Sequence, residues 1–199
     1  MSLKMNESLD SLKTFGKSFY WAGMILPDYY LERSADLYFF CRKLDDIADQ
    51  KKNKIILSKL KLIKKFIIEE NYLELTNLNI YVPNFLKNKN NAKKPILDLI
   101  DGLIFDQNNV RVKNVNELIK YCYRVAGTVG ILMCIALDCK DNKAKKFATD
   151  LGIAMQLTNI IRDVLEDAEM DRRYLPSSIT KNMLPNKILN ISKNSNLNI

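Results

Sequence analysis

Two pairs of aspartates set the chemistry open to this chain. Asp45 and Asp49 stand four residues apart, and so do Asp163 and Asp167. On a helix, at about 100° per residue, that spacing stacks both carboxylates of a pair on one face. Tyr38 and Arg42 share the face of the first pair, and Gln156 and Asn159 that of the second. The remaining circumference is apolar: Leu37, Phe40, Leu44 and Ile47 around one pair, Leu157, Ile161, Val164 and Ala168 around the other. Both helices therefore read as buried, each with a polar stripe. Paired carboxylates in such a setting repel each other and lose hydration, so each stripe needs cations. A solvated face or an internal ion-pair network is the commoner origin of an Asp pair, and the apolar remainder argues against the solvated face. Carboxylate ligands suit a hard, oxygen-seeking ion, Mg²⁺ above all and Mn²⁺ next, which binds carboxylates and substrate phosphates together. With Arg42 and Arg162 beside the pairs, the pattern predicts a diphosphate site.

Composition narrows the alternatives. The chain has 199 residues and no His, which removes the commonest general base and the usual zinc ligand. Cys41, Cys122, Cys134 and Cys139 show no C-x-x-C spacing and read as buried free thiols in a reducing compartment. The net charge of +8 comes mostly from lysines. Stretches such as Lys51 to Lys54 and Lys87 to Lys94 read as solvated loops, and no aromatic residues interleave with them, so nucleic acid is not an expected partner. The expected location is cytoplasmic, with loose peripheral attraction to an anionic inner membrane face. The N-terminus lacks the apolar run of a secretory signal, and Val125 to Leu137 is shorter than a bilayer span.

The elements that must position the aspartates read as helices, with no strand pattern. A first helix spans Leu9 to Leu26 and stops at Pro27; a second, Tyr29 to Asp49, carries the first pair; a third spans Lys54 to Glu70. Tyr72 to Pro83 is ambiguous. Pro95 opens a helix to Gln107, and Asn114 caps an apolar helix running to Leu137. A polar turn over Asp138 to Lys145 precedes the long helical stretch Leu151 to Pro176, which carries the second pair. One domain, residues 1–176, is followed by a polar, Asn-rich tail over 177–199.

Five blocks, KSFYWAGMILP, LYFFCRKLDDIAD, LIDGLIFD, YCYRVAGTVGILM and LGIAMQLTNIIRDVLEDAEMDRRYLP, occur in this order between Lys17 and Pro176. Together they resemble the squalene/phytoene synthase family of head-to-head prenyl transferases, most of all its bacterial phytoene synthases. The resemblance implies an all-α, isoprenoid-synthase-type bundle with two aspartate-rich motifs facing each other across a central cavity. It implies that Asp45, Asp49, Asp163 and Asp167 are catalytic and hold Mg²⁺ with Asn159, against the diphosphates of two allylic substrates. Arg42, Arg172, Tyr174, Gln156, Tyr38, Tyr121, Ser18 and Phe19 match positions around the substrate, and Arg162, beside Asp163, is a further substrate-binding candidate. For Phe19 and Tyr121, simple core packing is an equal reading. Asp46, Asp101, Asp106 and Glu166 read as supporting groups or helix-surface charges.

The implied reaction joins two geranylgeranyl diphosphates through a cyclopropyl diphosphate to phytoene, in carotenoid biosynthesis, with no NADPH. The alternatives are a squalene-type enzyme making presqualene diphosphate or dehydrosqualene from farnesyl diphosphate, and a non-catalytic homologue that binds prenyl diphosphates. Family members continue for several helices beyond the Tyr-Leu-Pro block. The expected bundle is therefore C-terminally truncated, with apolar faces of Leu9 to Leu26 and Val125 to Leu137 uncovered.

Overall fold

A computed structural model of the chain describes residues 3–50, 54–87 and 89–194, and its regular elements are helices, with no strand among the described residues. The helices are α1 (Leu3–Phe15), α2 (Lys17–Gly23), α3 (Asp28–Ala48), α4 (Lys54–Ile68), α5 (Tyr72–Asn77), α6 (Asn84–Lys87) and α7 (Asn90–Asp106). There follow α8 (Val115–Cys122), a π-helical turn (Tyr123–Gly127), α9 (Thr128–Ala136), α10 (Asn142–Arg162), α11 (Val164–Glu169), α12 (Ser177–Thr180) and α13 (Pro185–Asn194).

α3 sits at the centre of one half, packed on α1, α7 and α9. Its buried face, Leu37, Phe40, Leu44 and Ile47, meets Leu60 and Ile63 of α4, Leu99 and Ile100 of α7 and Leu132 of α9 in one continuous core. A smaller core gathers Val110, Val112, Leu118, Cys122, Ile160 and Tyr174. On α4, Ile56, Leu60, Ile63 and Ile67 are buried at helical spacing, while Ile55 faces solvent. Asn114 caps α8: its side chain accepts from the Glu117 N–H at 2.9 Å, and Glu117 reaches back to the Lys113 N–H at 2.6 Å.

Several helices depart from the sequence expectation, each for a local reason. The first helix is broken at Gly16, whose absent Cβ makes room for Leu12 and the Tyr38 ring, both about 2.9 Å from where a Cβ would stand. α7 begins at Asn90 rather than Pro95, so Lys93 and Lys94 lie on a helix and not in a loop; residues 51–53 of the other lysine stretch lie outside the described residues. The segment 72–87 resolves into the short helices α5 and α6. The span Val115–Ala136 is continuously helical for 22 residues, long and apolar enough to cross a bilayer by composition, yet it packs on α3, α7 and α10 inside the bundle. The tail forms helices: α12 and α13 are helical, and α13 packs on α11.

The largest correction concerns the stretch from Leu151. It is not one buried helix. α10 ends at Arg162, Asp163 takes a non-helical backbone, and α11 restarts at Val164. Only one side of α10 is packed, against α8, the π turn and α9. There the backbones touch: a Cβ on Gly130 would stand 2.2 Å from the Ala148 carbonyl oxygen, and one on Gly152 2.5 Å from that of Ala126. The other side carries Phe147, Leu151, Met155 and Ile161 in solvent.

The uncovered apolar surface lies on the first helices, as expected, and on α10, while Val125, Val129, Ile131, Met133 and Leu137 of the other expected stretch are half-buried. On α2 and its following turn, Trp21 is 69% and Ile25 87% exposed, with Phe15, Phe19 and Met24 nearby in sequence. Large apolar side chains left open in this way favour self-association. The 199-residue chain is expected to sediment as oligomers at micromolar concentration, and Trp21→Glu with Ile25→Glu to shift it toward monomer. A monodisperse parent chain would show that these faces are tolerated in water.

Candidate active site

Four elements and one extended strap bring the sequence-predicted residues to a single polar cavity of about 320 Å³. α3 contributes Arg42, Asp45 and Asp49, and α10 contributes Gln156 and Asn159. Asp163 lies at the junction of α10 and α11, and Asp167 on α11. Tyr121 comes from α8, while Arg172 and Tyr174 come from the strap that follows α11.

The strap explains how a loop can hold two such residues. α11 closes in a Schellman motif: the Arg172 N–H donates to the Asp167 carbonyl at 2.8 Å and the Asp171 N–H to that of Ala168 at 3.1 Å, with Asp171 at φ 54°. This closure lays the residue after the turn over the last helical turn, here Arg172 over Asp167. The strap then runs beside residues 110–112. The Arg173 N–H donates to the Val110 carbonyl at 3.0 Å, and the Val112 N–H to that of Arg173 at 3.1 Å. The buried Arg173 guanidinium bonds Thr180 at 2.7 Å and Ser177 at 2.8 Å, and Arg111 pairs with Asp171 at 2.5 Å. In extended backbone alternate side chains face opposite ways. With Arg173 anchored outward, Arg172 and Tyr174 face the cavity.

Asp106 of α7 also lines the cavity, a role the sequence reading did not give it. It is buried and accepts hydrogen bonds from Tyr174 at 2.6 Å and Tyr121 at 2.9 Å, whose rings stack with centroids 4.7 Å apart. The signal was present: Asp106 follows Leu103 by three residues and Leu99 by seven, on the apolar face of its helix. By contrast, Asp46 and Asp101 are surface ion-pair partners, of Arg42 at 2.8 Å and Lys64 at 2.6 Å.

Four predicted residues, Arg162, Ser18, Phe19 and Tyr38, stand apart from the polar cavity. Arg162 projects outward with its side chain 68% exposed, and its guanidinium grips the Asp163 carboxylate at 2.6 and 2.7 Å. Ser18 is exposed on α2 and lines no part of the cavity. Phe19 lines a second pocket of about 270 Å³, apolar, together with Tyr38, Cys41, Leu37, Val129 and Met133. Tyr38 and Cys41 each precede a polar-cavity residue, Arg42 and Asp45, by one helical turn of α3. The apolar pocket thus adjoins the carboxylates along one helix.

A family model for squalene/phytoene synthase matches residues 12–196. The chain belongs to this family. A phytoene synthase of Pseudescherichia vulneris is 43% identical over 81 residues, covering 41% of this chain and 26% of that protein. A 15-cis-phytoene synthase of Enterobacter agglomerans matches at the same identity and span, covering 28% of its length. The matched stretch thus spans about a quarter of the curated relatives. Among solved structures, a ligand-bound dehydrosqualene synthase is similar at a TM-score of 0.69 and 29% identity, over 87% of this chain and 61% of that one. The squalene synthase HpnC of Alicyclobacillus acidocaldarius, at 17% identity, shares the fold at a TM-score of 0.70 over 96% of this chain and 74% of its own.

The electrostatics of this squalene/phytoene synthase cavity are unbalanced. Five carboxylates, Asp45, Asp49, Asp106, Asp163 and Asp167, face two guanidinium groups, Arg42 and Arg172. Burial, with the repulsion of Asp49 behind it, pushes Asp45 up to about 7. Burial likewise raises Asp167 to about 6 against the pull of Arg172. Asp163 is held low by its hydrogen bonds from Arg162. Burial opposes the Arg172 charge, but Tyr174 and Asp106 outweigh it, and its buried Nε has no hydrogen-bond partner. Among the described residues no three acidic or thiol side chains come close enough to enclose a metal ion by themselves.

A pH dependence follows for the chain in chelator. The folded-state values of Asp45 and Asp167 lie above the ordinary carboxylate value of 3.8, so the folded form keeps these protons longer than the unfolded one. Their contribution to stability is complete below about pH 4 and is lost as pH rises through about 6 to 7. The urea midpoint is expected to fall between pH 5 and pH 8, and Asp45→Asn to flatten that fall and stabilise the chain at pH 8. Superimposable pH profiles for parent and variant would contradict the assigned repulsion.

Proposed function

We propose that this chain carries the catalytic centre of a head-to-head condensation of two identical allylic prenyl diphosphates, with geranylgeranyl diphosphate as substrate and phytoene as product. The observation that carries this reading is the pairing on α3 of a charged cavity with an apolar pocket one helical turn away. A diphosphate head and a long hydrocarbon tail need that combination. The 43% identity to phytoene synthases favours the longer substrate. The likeness to a dehydrosqualene synthase over most of the chain favours a second reading, condensation of farnesyl diphosphate.

The donor set fits Mg²⁺ or Mn²⁺ bound jointly with substrate. Carboxylates that line one cavity without enclosing an ion suit a metal that completes its shell with phosphate oxygens and water. Asp45, Asp49, Asp163 and Asp167 would hold it, with Asn159 beside them. When bound, the metal neutralises the diphosphate charge that builds up on departure. Arg172, with its unpartnered Nε, and Arg42 add fixed positive charge to the same cavity.

In the reaction proposed here, the C1–O bond of one substrate breaks and its electron pair leaves with the diphosphate. The double bond of the second substrate attacks the resulting allylic cation, and loss of a proton closes a cyclopropyl diphosphate. The second diphosphate then departs, the ring rearranges, and loss of another proton yields the hydrocarbon, so no reductant is consumed. Apolar walls such as Leu37, Val129 and Met133 keep water from the cations.

Incubation with Mg²⁺ and geranylgeranyl or farnesyl diphosphate, followed by hydrocarbon extraction, tests the reading. The expected product is phytoene from the longer substrate, with Asp45→Ala and Asp163→Ala each lowering turnover by roughly 10²–10³-fold. Dehydrosqualene as the main product would favour the shorter substrate. Hydrocarbon formation that survives in both variants would remove the aspartates from the mechanism, and tight substrate binding without any turnover would favour a non-catalytic homologue.

A further inference from the structure

Cys134 and Cys139 lie outside both pockets, at the end of α9, where the backbone repeats the Schellman closure seen in α11. The Cys139 N–H donates to the Cys134 carbonyl at 2.8 Å, the Asp138 N–H to that of Ile135 at 3.2 Å, and Asp138 occupies the left-handed region at φ 52°. This motif places the side chains of its first and last residues against each other, usually as an apolar contact. In α11 the two residues are Asp167 and Arg172. In α9 they are two cysteines, and Cys139 adds to the upward shift that burial gives the Cys134 thiol.

The turn that brings them together is held from outside. Left-handed backbone is unfavourable for a residue with a side chain, and Asp138 tolerates it better than most. Its carboxylate is gripped by Arg33 of α3 at 2.5 and 3.1 Å and by Lys89 at 3.3 Å. Arg33, itself buried, also donates to the Ile135 carbonyl at 2.8 Å. Cys139 is partly exposed, so one thiol of the pair is accessible to a solution reagent while its buried neighbour stands ready behind it. Cys41 and Cys122 are buried, and burial pushes Cys122 up to about 11.

We propose that Cys134 and Cys139 form a dithiol–disulfide pair, oxidised by exchange with a small-molecule disulfide. The Cys139 thiolate attacks one sulfur of oxidised glutathione, forming a mixed disulfide and releasing the first glutathione thiolate. Cys134, losing its proton to solvent, then attacks the Cys139 sulfur and expels the second. One protein disulfide is formed, one glutathione disulfide is reduced, and the two thiol protons end on the two released glutathione molecules. The new bond fastens the end of α9 to the connection into α10. It closes only a short loop, so the gain in stability is small and the chemistry is the better readout.

The reduced, folded chain is treated with oxidised glutathione, quenched in acid, unfolded in denaturant, alkylated and examined by mass spectrometry. The expected result is that two of the four thiols resist alkylation. The tryptic peptide 125–140 should be lighter by the mass of two hydrogen atoms. In Cys139→Ser that loss should disappear and Cys134 should stay alkylatable. Full alkylation of both cysteines after treatment, or Cys139 trapped as a lasting glutathione adduct, would overturn the proposal.

Discussion

The structure turns on a repulsion. Around one cavity stand five carboxylates and two guanidinium groups, an acid excess inside a chain whose net charge is +8. Burial, with the Asp49 charge behind it, raises the proton affinity of Asp45, and burial raises that of Asp167. An anionic substrate has no reason to enter such a cavity unless cations enter with it. That single constraint links the residue pattern to the proposed chemistry, because an ion shared between carboxylates and a diphosphate relieves both repulsions together.

Much of the remaining architecture keeps these like charges from moving apart. The contacts of Gly130 and Gly152 with α10 and the π turn leave no slack between the helices that carry Tyr121 and Asn159. The strap is fixed through Arg173, with its hydrogen bonds to Ser177, Thr180 and Leu175, so that Arg172 and Tyr174 line the cavity. Asp106 is buried, and its carboxylate accepts from the hydroxyls of Tyr121 and Tyr174, with the Arg172 charge acting on it as well. Its deep burial is tolerable for that reason.

Periodicity made α3 legible: Asp45, Asp49 and Arg42 share a face, and Leu37, Phe40 and Leu44 share the buried one. The same reasoning misjudged α10, because an apolar pattern reports what a helix could bury and not what lies beside it. Met155 and Ile161 look like core residues in the sequence and face solvent in the structure. Nor does periodicity foresee a break such as that at Asp163, where one residue ends α10 and the next begins α11. Arg162 was assigned by adjacency to Asp163, and adjacency on a helix turns the two side chains about 100° apart. Asp106 reads in the sequence only as a supporting group or a surface charge, because its partners arrive through the fold, 15 and 68 residues further along the chain.

The central claim is that the cavity binds a diphosphate only together with a divalent cation. Calorimetric titration of the chain with an unreactive prenyl thiodiphosphate, in Mg²⁺ and again in excess EDTA, tests it most directly. Binding is expected in Mg²⁺, its loss in EDTA, and a comparable loss in Asp45→Ala with Mg²⁺ restored. Equal affinity for the analogue with and without the metal would contradict the account.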